Sequence, residues 1–237
     1  MKIIAIGDGC IDEYRYGEIW RVNPESSAPL LNFDQSEERM GMAFNVAQNL
    51  KAFGALVDLF VPDRLSRKIR YIDRRTGEHL LRVDHDVEAK EFDFDLDYRG
   101  IDAIVISDYN KGFVSDKTIL NLRQQFKGPI YMDTKKKNLA DFPDIYIKIN
   151  ERELFESTSL PAGDRLIVTR GSKGCGYMDK MYPAKPIEVL DVCGAGDVFL
   201  AAMVVKHLET GDMSKALPFA NEKAAISCQR IGAVCVS

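Results

Sequence analysis

Apolar residues in this chain come in short, dense runs rather than long periodic stripes. Ile3–Ile6, Ala55–Val61, Ala103–Ser107, Pro129–Asp133, Ile145–Ile149 and Arg165–Thr169 are nearly continuous apolar segments. Strands buried on both faces of a parallel sheet read this way. Helical patterns lie between several of them. Asn45–Phe53 ends at Gly54, and Lys117–Phe126 ends at Gly128 and Pro129, residues that stop helices. The C-terminal third is more helical, with Val198–Leu208 closed by Gly211 and a further helix over about Lys215–Gln229. Strand and helix alternating in this manner predict an α/β fold with a doubly wound, mainly parallel sheet.

Two stretches break the alternation. Glu18–Phe33 holds Pro24 and Pro29 and has little helical periodicity. Lys68–Asp73 alternates charged and apolar positions, turns through Thr76-Gly77 and returns as His79–Val83, which predicts a β-hairpin. A parallel crossover needs a dozen or more residues, and too few separate Ala55–Val61 from this hairpin. The chain therefore passes directly from the core into a small β-flap. We expect one domain over residues 1–237, with lid segments at about 13–35 and 66–86.

Composition narrows the class. With 46% hydrophobic and 29% charged residues the chain is an ordinary globular protein, and its net charge of −4 gives no electrostatic reason for a nucleic-acid partner. The apolar run at Ile3–Ile6 is too short for a signal-peptide core and reads as a first strand. Cys10, Cys175, Cys193, Cys228 and Cys235 form no C-x-x-C pair. Free thiols, a cytoplasmic location and no membrane partner are the expectation. His79, His85 and His207 lack metal-ligand spacing, so no structural zinc is expected.

The chemistry concentrates in Leu190–Phe199, which contains Gly194-Ala195-Gly196-Asp197 at the start of an apolar helix. Unpaired N–H groups at a helix start, backed by the helix dipole, bind anions. Small residues let a phosphate approach that backbone, and Asp197 stands one step further on as a candidate base. Phosphoryl transfer to an alcohol needs such a cradle and carboxylate. The same residues also fit a tight loop before a buried helix. Gly7-Asp8-Gly9 follows the first strand, but Asp12 stands where the third glycine of a dinucleotide-binding fingerprint belongs, which disfavours a dehydrogenase.

Motifs in register along nearly the whole chain resemble the ribokinase-like (PfkB-type) carbohydrate kinase family. They are Ile6-Gly7-Asp8 with Asp12–Gly17, Arg21–Glu25 with Ala28-Pro29, Glu37-Glu38-Arg39 with Gly41 and Asn45-Val46-Ala47, and Leu81–Asp84. Further along come Ser107-Asp108-Tyr109 with Lys111-Gly112, Asp133 with Lys135, and Asn150 with Glu153. Val168-Thr169-Arg170 with Gly174, Asp191–Asp197 and Phe219-Ala220-Asn221 complete the series. The resemblance implies a three-layer α/β/α fold with a β-lid, trimmed relative to the family. It is strongest to the branch that phosphorylates heptose 7-phosphate at C1, and it covers that branch's kinase unit, not the nucleotidyltransferase unit that accompanies it.

By the same resemblance, Asp197 is the catalytic base and Gly194, Ala195 and Gly196 form the anion hole. Asp8, Asp12, Arg21, Gly41, Asn45, Lys111 and Asp133 lie on the sugar or sugar-phosphate side. Lys135, Asn150, Thr169, Arg170, Gly171, Gly174 and Asn221 lie on the ATP side. Asn150 and Glu153 orient Mg²⁺ through water or phosphate, and a role for K⁺ stays open. Asn45 equally fits a helix N-cap, and Asn150 with Glu153 a cap and first-turn pair. Lys135, within Lys135-Lys136-Lys137, equally fits solvated surface charge, and Lys68 and Arg70 either reach the site from the flap or face water. The lid implies a homodimer. Departures from the family pattern are Met42 at the second glycine, Phe44 at a small position, Thr134 at a proline, and short sections between Val61 and Lys68 and between Glu156 and Arg165. They motivate two alternatives, a kinase of another sugar phosphate or a nucleoside, and a catalytically silent sugar or nucleotide binder.

Overall fold

The computed structural model describes residues 1–93, 95–230, 232 and 235–236. Its strands are β1 (Lys2–Gly7), β2 (Gly9–Val22), β3 (Pro29–Met42), β4 (Leu56–Phe60), β5 (Ser66–Asp73) and β6 (His79–His85). They continue with β7 (Ala103–Asp108), β8 (Ile130–Thr134), β9 (Ile145–Asn150), β10 (Leu166–Thr169), β11 (Cys175–Tyr177) and β12 (Lys180–Tyr182). The helices are α1 (Ala43–Ala52), α2 (Asp116–Gln125), α3 (Glu151–Glu156), α4 (Ala195–Thr210) and α5 (Met213–Cys228).

Eight strands form the main sheet in the order β12-β11-β10-β9-β8-β7-β1-β4. From β4 to β10 every pairing is parallel, and β11 and β12 add an antiparallel edge. Side chains alternate across each strand, so the apolar runs feed two cores. Ile3, Val105, Tyr131 and Ile167 face α1, α4 and α5, whereas Ile4, Ile6, Ile104, Ile106, Met132 and Ile147 face α2 and the irregular chain carrying Phe92 and Phe113. Helix α4 is buried throughout Asp197–Val205 because it packs between α1 and α5 as well as on the sheet. A helix that is apolar all round belongs in such a place. It ends where Gly211 adopts φ 65°, the left-handed cap that glycine favours.

Four strands form a second sheet, β3-β2-β5-β6, in which only β2 and β5 run parallel. This is the flap: its first part, residues 9–42, runs longer than the expected segment at 13–35, and β5 and β6 fall within the expected 66–86. Glu18–Phe33, which lacked a recognisable pattern, is the far part of a ribbon made by two strands of 14 residues each. Its alternation is carried by charge rather than by apolar residues. Glu13 pairs with Arg15 and Arg67, and Arg39 with Glu37, and register shifts after Tyr16 and Ile19 blur the period further. The hairpin β5–β6 forms as read, and β4 runs straight into it with no crossover helix.

Candidate active site

Asp8, Tyr109, Asp133 and Asn150 all stand at the carboxyl ends of parallel strands or just beyond them, and the start of α4 approaches the same edge. In open α/β sheets ligands collect at this edge. Gly194 caps α4 with φ 75°, and its carbonyl accepts from the N–H groups of Asp197 and Val198 at 3.0 Å each. Among the described residues, the N–H groups of Gly194 and Gly196 take no backbone acceptor, which leaves two donors at the helix start for an anion.

Asp197, in the first turn of α4, is buried and has a donor on each oxygen. Asn45 Nδ2 donates to Oδ2 at 2.8 Å, and the Tyr109 hydroxyl donates to Oδ1 at 3.3 Å. Burial raises this carboxyl from 3.8 to about 6. The Asn45 bond opposes the rise, the Asp133 charge adds to it, and Lys148 and the Tyr109 bond oppose it. A base tuned close to neutrality is well matched to proton transfer from a hydroxyl.

Asn45 is therefore not an N-cap: α1 begins after Met42, and Asn45 lies in the first turn with its amide on the candidate base. Asn49, one turn on, donates to the carbonyl and side-chain oxygens of Asn45 at 2.9 and 3.1 Å, and itself accepts from the Val236 N–H at 3.1 Å. A chain of amides thus fixes the base from behind. Met42 occupies the glycine position with φ 59° and ψ −126°, a backbone region that only glycine adopts without strain. The second family glycine is explained by that conformation, which this chain keeps while placing a buried methionine there. Phe44 is accommodated because it packs on Gly9, where a Cβ would lie 2.7 Å from the ring.

Lys148 carries no motif role, yet its amine sits beneath the anion hole. It is on β9, facing the α4 side between Tyr146 and Asn150, and bonds Asp133 Oδ2 at 2.6 Å with both side chains almost wholly buried. A Cβ on Gly196 would come within 3.0 Å of Lys148 Nζ, so the glycine brings the helix start onto the ammonium. Burial works against the charge of Lys148, but Asp133 holds its pKa above the ordinary lysine value. A lysine in the otherwise apolar run Ile145–Ile149 was a legible sign of a buried ion pair.

On the lid side, Asp12 Oδ1 accepts from Arg70 Nη1 at 2.5 Å, both side chains largely buried, and Cys10 Sγ lies 3.6 Å from Oδ2. Gly41 lies opposite, where any Cβ would stand 2.1 Å from Asp12 Oδ2. Arg70 reaches the site, and so does Lys68, whose ammonium lies 5.4 Å from the Tyr109 ring centre. Asp8 Oδ2 accepts from the N–H groups of Tyr109 and Lys111 at 2.7 and 3.3 Å, while Oδ1 is buried and has no hydrogen-bond partner among the described residues. Burial raises the Asp8 carboxyl above its ordinary value. Thr134, at the position of the family proline, bonds Asp108 Oδ2 at 2.6 Å and ties β8 to β7.

Other expected residues are placed elsewhere. The Lys111 amine pairs with Asp86. Arg21 is exposed near the far end of β2, nine residues from Asp12 and hence roughly 30 Å away along an extended strand. Within one chain it is not part of the site, because the ribbon carries it outward.

On the other side of the anion hole lies a cavity of about 460 Å³ lined by Thr169, Gly171, Gly174, Pro186, Val192, Ala195, Gly196, Phe199 and Asn221, among others. Gly174 has φ 93°, and a Cβ there would stand 2.0 Å from the Tyr182 carbonyl oxygen. Asn221 donates to that same oxygen at 2.8 Å. Arg170 does not line the cavity; it pairs with Glu151 at 3.4 Å. Lys135 and Asn150 meet at Glu153 instead: Asn150 and Glu153 form a capping box on α3, and Lys135 pairs with the Glu153 carboxylate. Amide and carboxylate oxygens are the hard donors Mg²⁺ takes. Both Glu153 oxygens already accept hydrogen bonds, so the pair fits a hydrated cation reached through water rather than direct ligation.

An anion-binding helix start with a tuned base before it, set between a lid and a nucleotide-sized cavity, is a phosphotransferase layout. Comparison with known proteins agrees. Residues 117–236 match the pfkB family carbohydrate kinase model. The bifunctional protein HldE of Bradyrhizobium diazoefficiens is 27% identical over 301 aligned positions, which cover 99% of this chain and 61% of that protein. The chain thus spans about three fifths of the length of such relatives, and within the matched part it is shorter than they are. Among solved structures, ribokinase from Thermotoga maritima superposes with a TM-score of 0.71 at 18% identity, covering 98% of this chain and 94% of that one. Arabidopsis thaliana ribokinase, solved with ribose and ATP, gives 0.70 at 16% identity, covering 97% and 93%. The fold is ribokinase-like, and the chain belongs to the pfkB family of carbohydrate kinases.

Proposed function

We propose that this kinase transfers the γ-phosphoryl group of ATP to a sugar phosphate, heptose 7-phosphate at C1. Asp197 carries the reading, because it sets a buried carboxylate with a pKa of about 6 beside the Gly194 and Gly196 N–H groups at the start of α4. The acceptor hydroxyl gives its proton to Asp197 while its oxygen bonds to the γ-phosphorus. The bond from that phosphorus to the β–γ bridging oxygen breaks, and ADP leaves. The N–H groups of Gly194 and Gly196 hold the charge on the transferring oxygens, with the Lys148 ammonium behind them. Mg²⁺, when bound, neutralises charge on the nucleotide phosphates, and Asn150 with Glu153 are the residues to hold its waters.

The cavity lined by Thr169 and Asn221 suits the nucleoside of ATP, and the ATP-bound ribokinase of the same fold supports that donor. A phosphorylated acceptor is supported by the HldE relatives and by Lys68, a lid cation whose ammonium lies 5.4 Å from the Tyr109 ring centre. Trp20 and Phe33, exposed at 65% and 62% on the ribbon, support a homodimer through the lid. The test is a screen with radiolabelled ATP and Mg²⁺ across sugars, sugar phosphates and nucleosides. Transfer to heptose 7-phosphate is the expected result. Transfer to a nucleoside alone would replace the acceptor assignment, and transfer to nothing would leave the silent-binder reading.

A further inference from the structure

Tyr109 has no part in the phosphoryl-transfer scheme above, yet it touches three parts of the site. Its N–H donates to Asp8 at 2.7 Å, and its hydroxyl donates to Asp197 Oδ1 at 3.3 Å. Two ammonium groups from different elements lie over its ring, Lys68 of β5 at 5.4 Å and Lys135, just past β8, at 5.5 Å. Lys68 belongs to the lid, and the other three groups to the main sheet and its helices. We propose that Tyr109 is a positioning residue for the base: its hydroxyl holds Asp197 Oδ1 in register with the anion hole, and its ring ties that register to the lid through Lys68. This rests on the reading of Asp197 as the base.

A phenol donates a single hydrogen, and a carboxylate oxygen offers two lone pairs. Tyr109 can therefore keep its bond while an acceptor hydroxyl donates to the same carboxylate, so the base is aimed before and during proton transfer. Donation to the charged form favours ionisation of Asp197. The negative charge of Asp197 and burial push the phenol well above its ordinary pKa, so Tyr109 remains the donor. Lysine cations over the ring draw electron density from the phenol, which makes its O–H more acidic and strengthens that donation. The groups facing Asp197 are Asn45 from α1, Tyr109 from the turn after β7, Asp133 from β8 and Lys148 from β9. The last two form an ion pair, which leaves the phenol and the Asn45 amide as the groups that orient the carboxylate directly.

The experiment is a carbon-13 NMR titration of the aspartate carboxyls in the whole chain without nucleotide or sugar, with the Asp197 signal identified by its loss in Asp197→Asn. In Tyr109→Phe the Asp197 midpoint should move upward by about one pH unit, the size of a lost hydrogen bond to a charged group. Lys68→Met should move it the same way by less, and Lys68→Arg should restore it. An unmoved midpoint in a folded Tyr109→Phe overturns the positioning role. An unmoved midpoint in Lys68→Met overturns the link to the lid. Where a sugar acceptor turns over, kcat should fall about tenfold in Tyr109→Phe with the KM for ATP unchanged, and an unchanged kcat counts against the proposal. The titration reads out whether or not any sugar is phosphorylated, so a failed kinase reading shows separately, as absent transfer by the unaltered protein.

Discussion

Replacing Asp197 with asparagine should stop phosphoryl transfer and at the same time stabilise the protein. Burial holds this carboxyl at about 6, against 3.8 ordinarily. An acid with a higher pKa folded than unfolded binds its proton more tightly in the folded state, so ionising it opposes folding. That cost is absent below about pH 4, grows as the pH rises toward the folded value, and is complete above it. A displacement of about two pH units corresponds to roughly 3 kcal/mol at pH 8. Asparagine removes the charge but keeps one oxygen for two donors, and its NH₂ must face either Asn45 or a Tyr109 hydroxyl that has turned to accept. That mismatch costs about 1 kcal/mol. A net gain of about 1–2 kcal/mol remains, worth several degrees in Tm for a chain of this length. Thermal unfolding followed by circular dichroism at pH 8 and at pH 4 measures it. The variant should melt higher at pH 8, and the advantage should vanish at pH 4. An equal gap at both pH values, or a more stable parent at pH 8, would refute the electrostatic account of this site.

Two further substitutions probe the surroundings. Asn45→Ala removes the donor on Asp197 Oδ2 and strips Asn49 of its side-chain acceptor. The acid limb of the pH profile of kcat/KM should move upward from about 6, and stability in urea should fall by about 1–3 kcal/mol. Gly174→Ala forces a Cβ toward the Tyr182 carbonyl at a backbone φ of 93°. Stability should drop by about 2 kcal/mol or more, and calorimetry should show ATP binding weakened at least tenfold, with the lid ion pairs untouched.

The parallel strands were legible because burial on both faces demands unbroken apolar runs, and β1, β7, β8, β9 and β10 all fall on such runs. The lid ribbon was legible only in part. Its alternation runs through Glu13, Arg15, Glu37 and Arg39, which satisfy one another by ion pairing, so hydrophobic periodicity is blind to it. The hairpin β11–β12 was missed because its turn uses Met178 and Asp179, both at positive φ, where the usual signal is asparagine and glycine. Within the site, Asp197 and the anion hole are contiguous in sequence and could be read as a unit. Asn45 was expected on the sugar and lies on the base, since its neighbour across 152 residues is set by how α1 packs on α4. Tyr109 gains its position by the same long-range assembly, from β7, β5 and α4 together.

The lid is joined to the core with little slack. Only Asp8 separates β1 from β2, β3 passes directly into α1, and β4 reaches β5 through residues 61–65. A ribbon so rooted behaves as a lever rather than a hinge-mounted flap. With strands of 14 residues it is about 45 Å long, so a tilt of about 5° at Asp8 sweeps the Val22 end through roughly 4 Å. The fulcrum is the pair of junctions that carry Asp8, which braces Tyr109, and Met42, which sets the start of α1 and with it Asn45. Whatever grips the distal tip of the ribbon therefore acts, at a mechanical advantage of many-fold, on the two donors that hold the base.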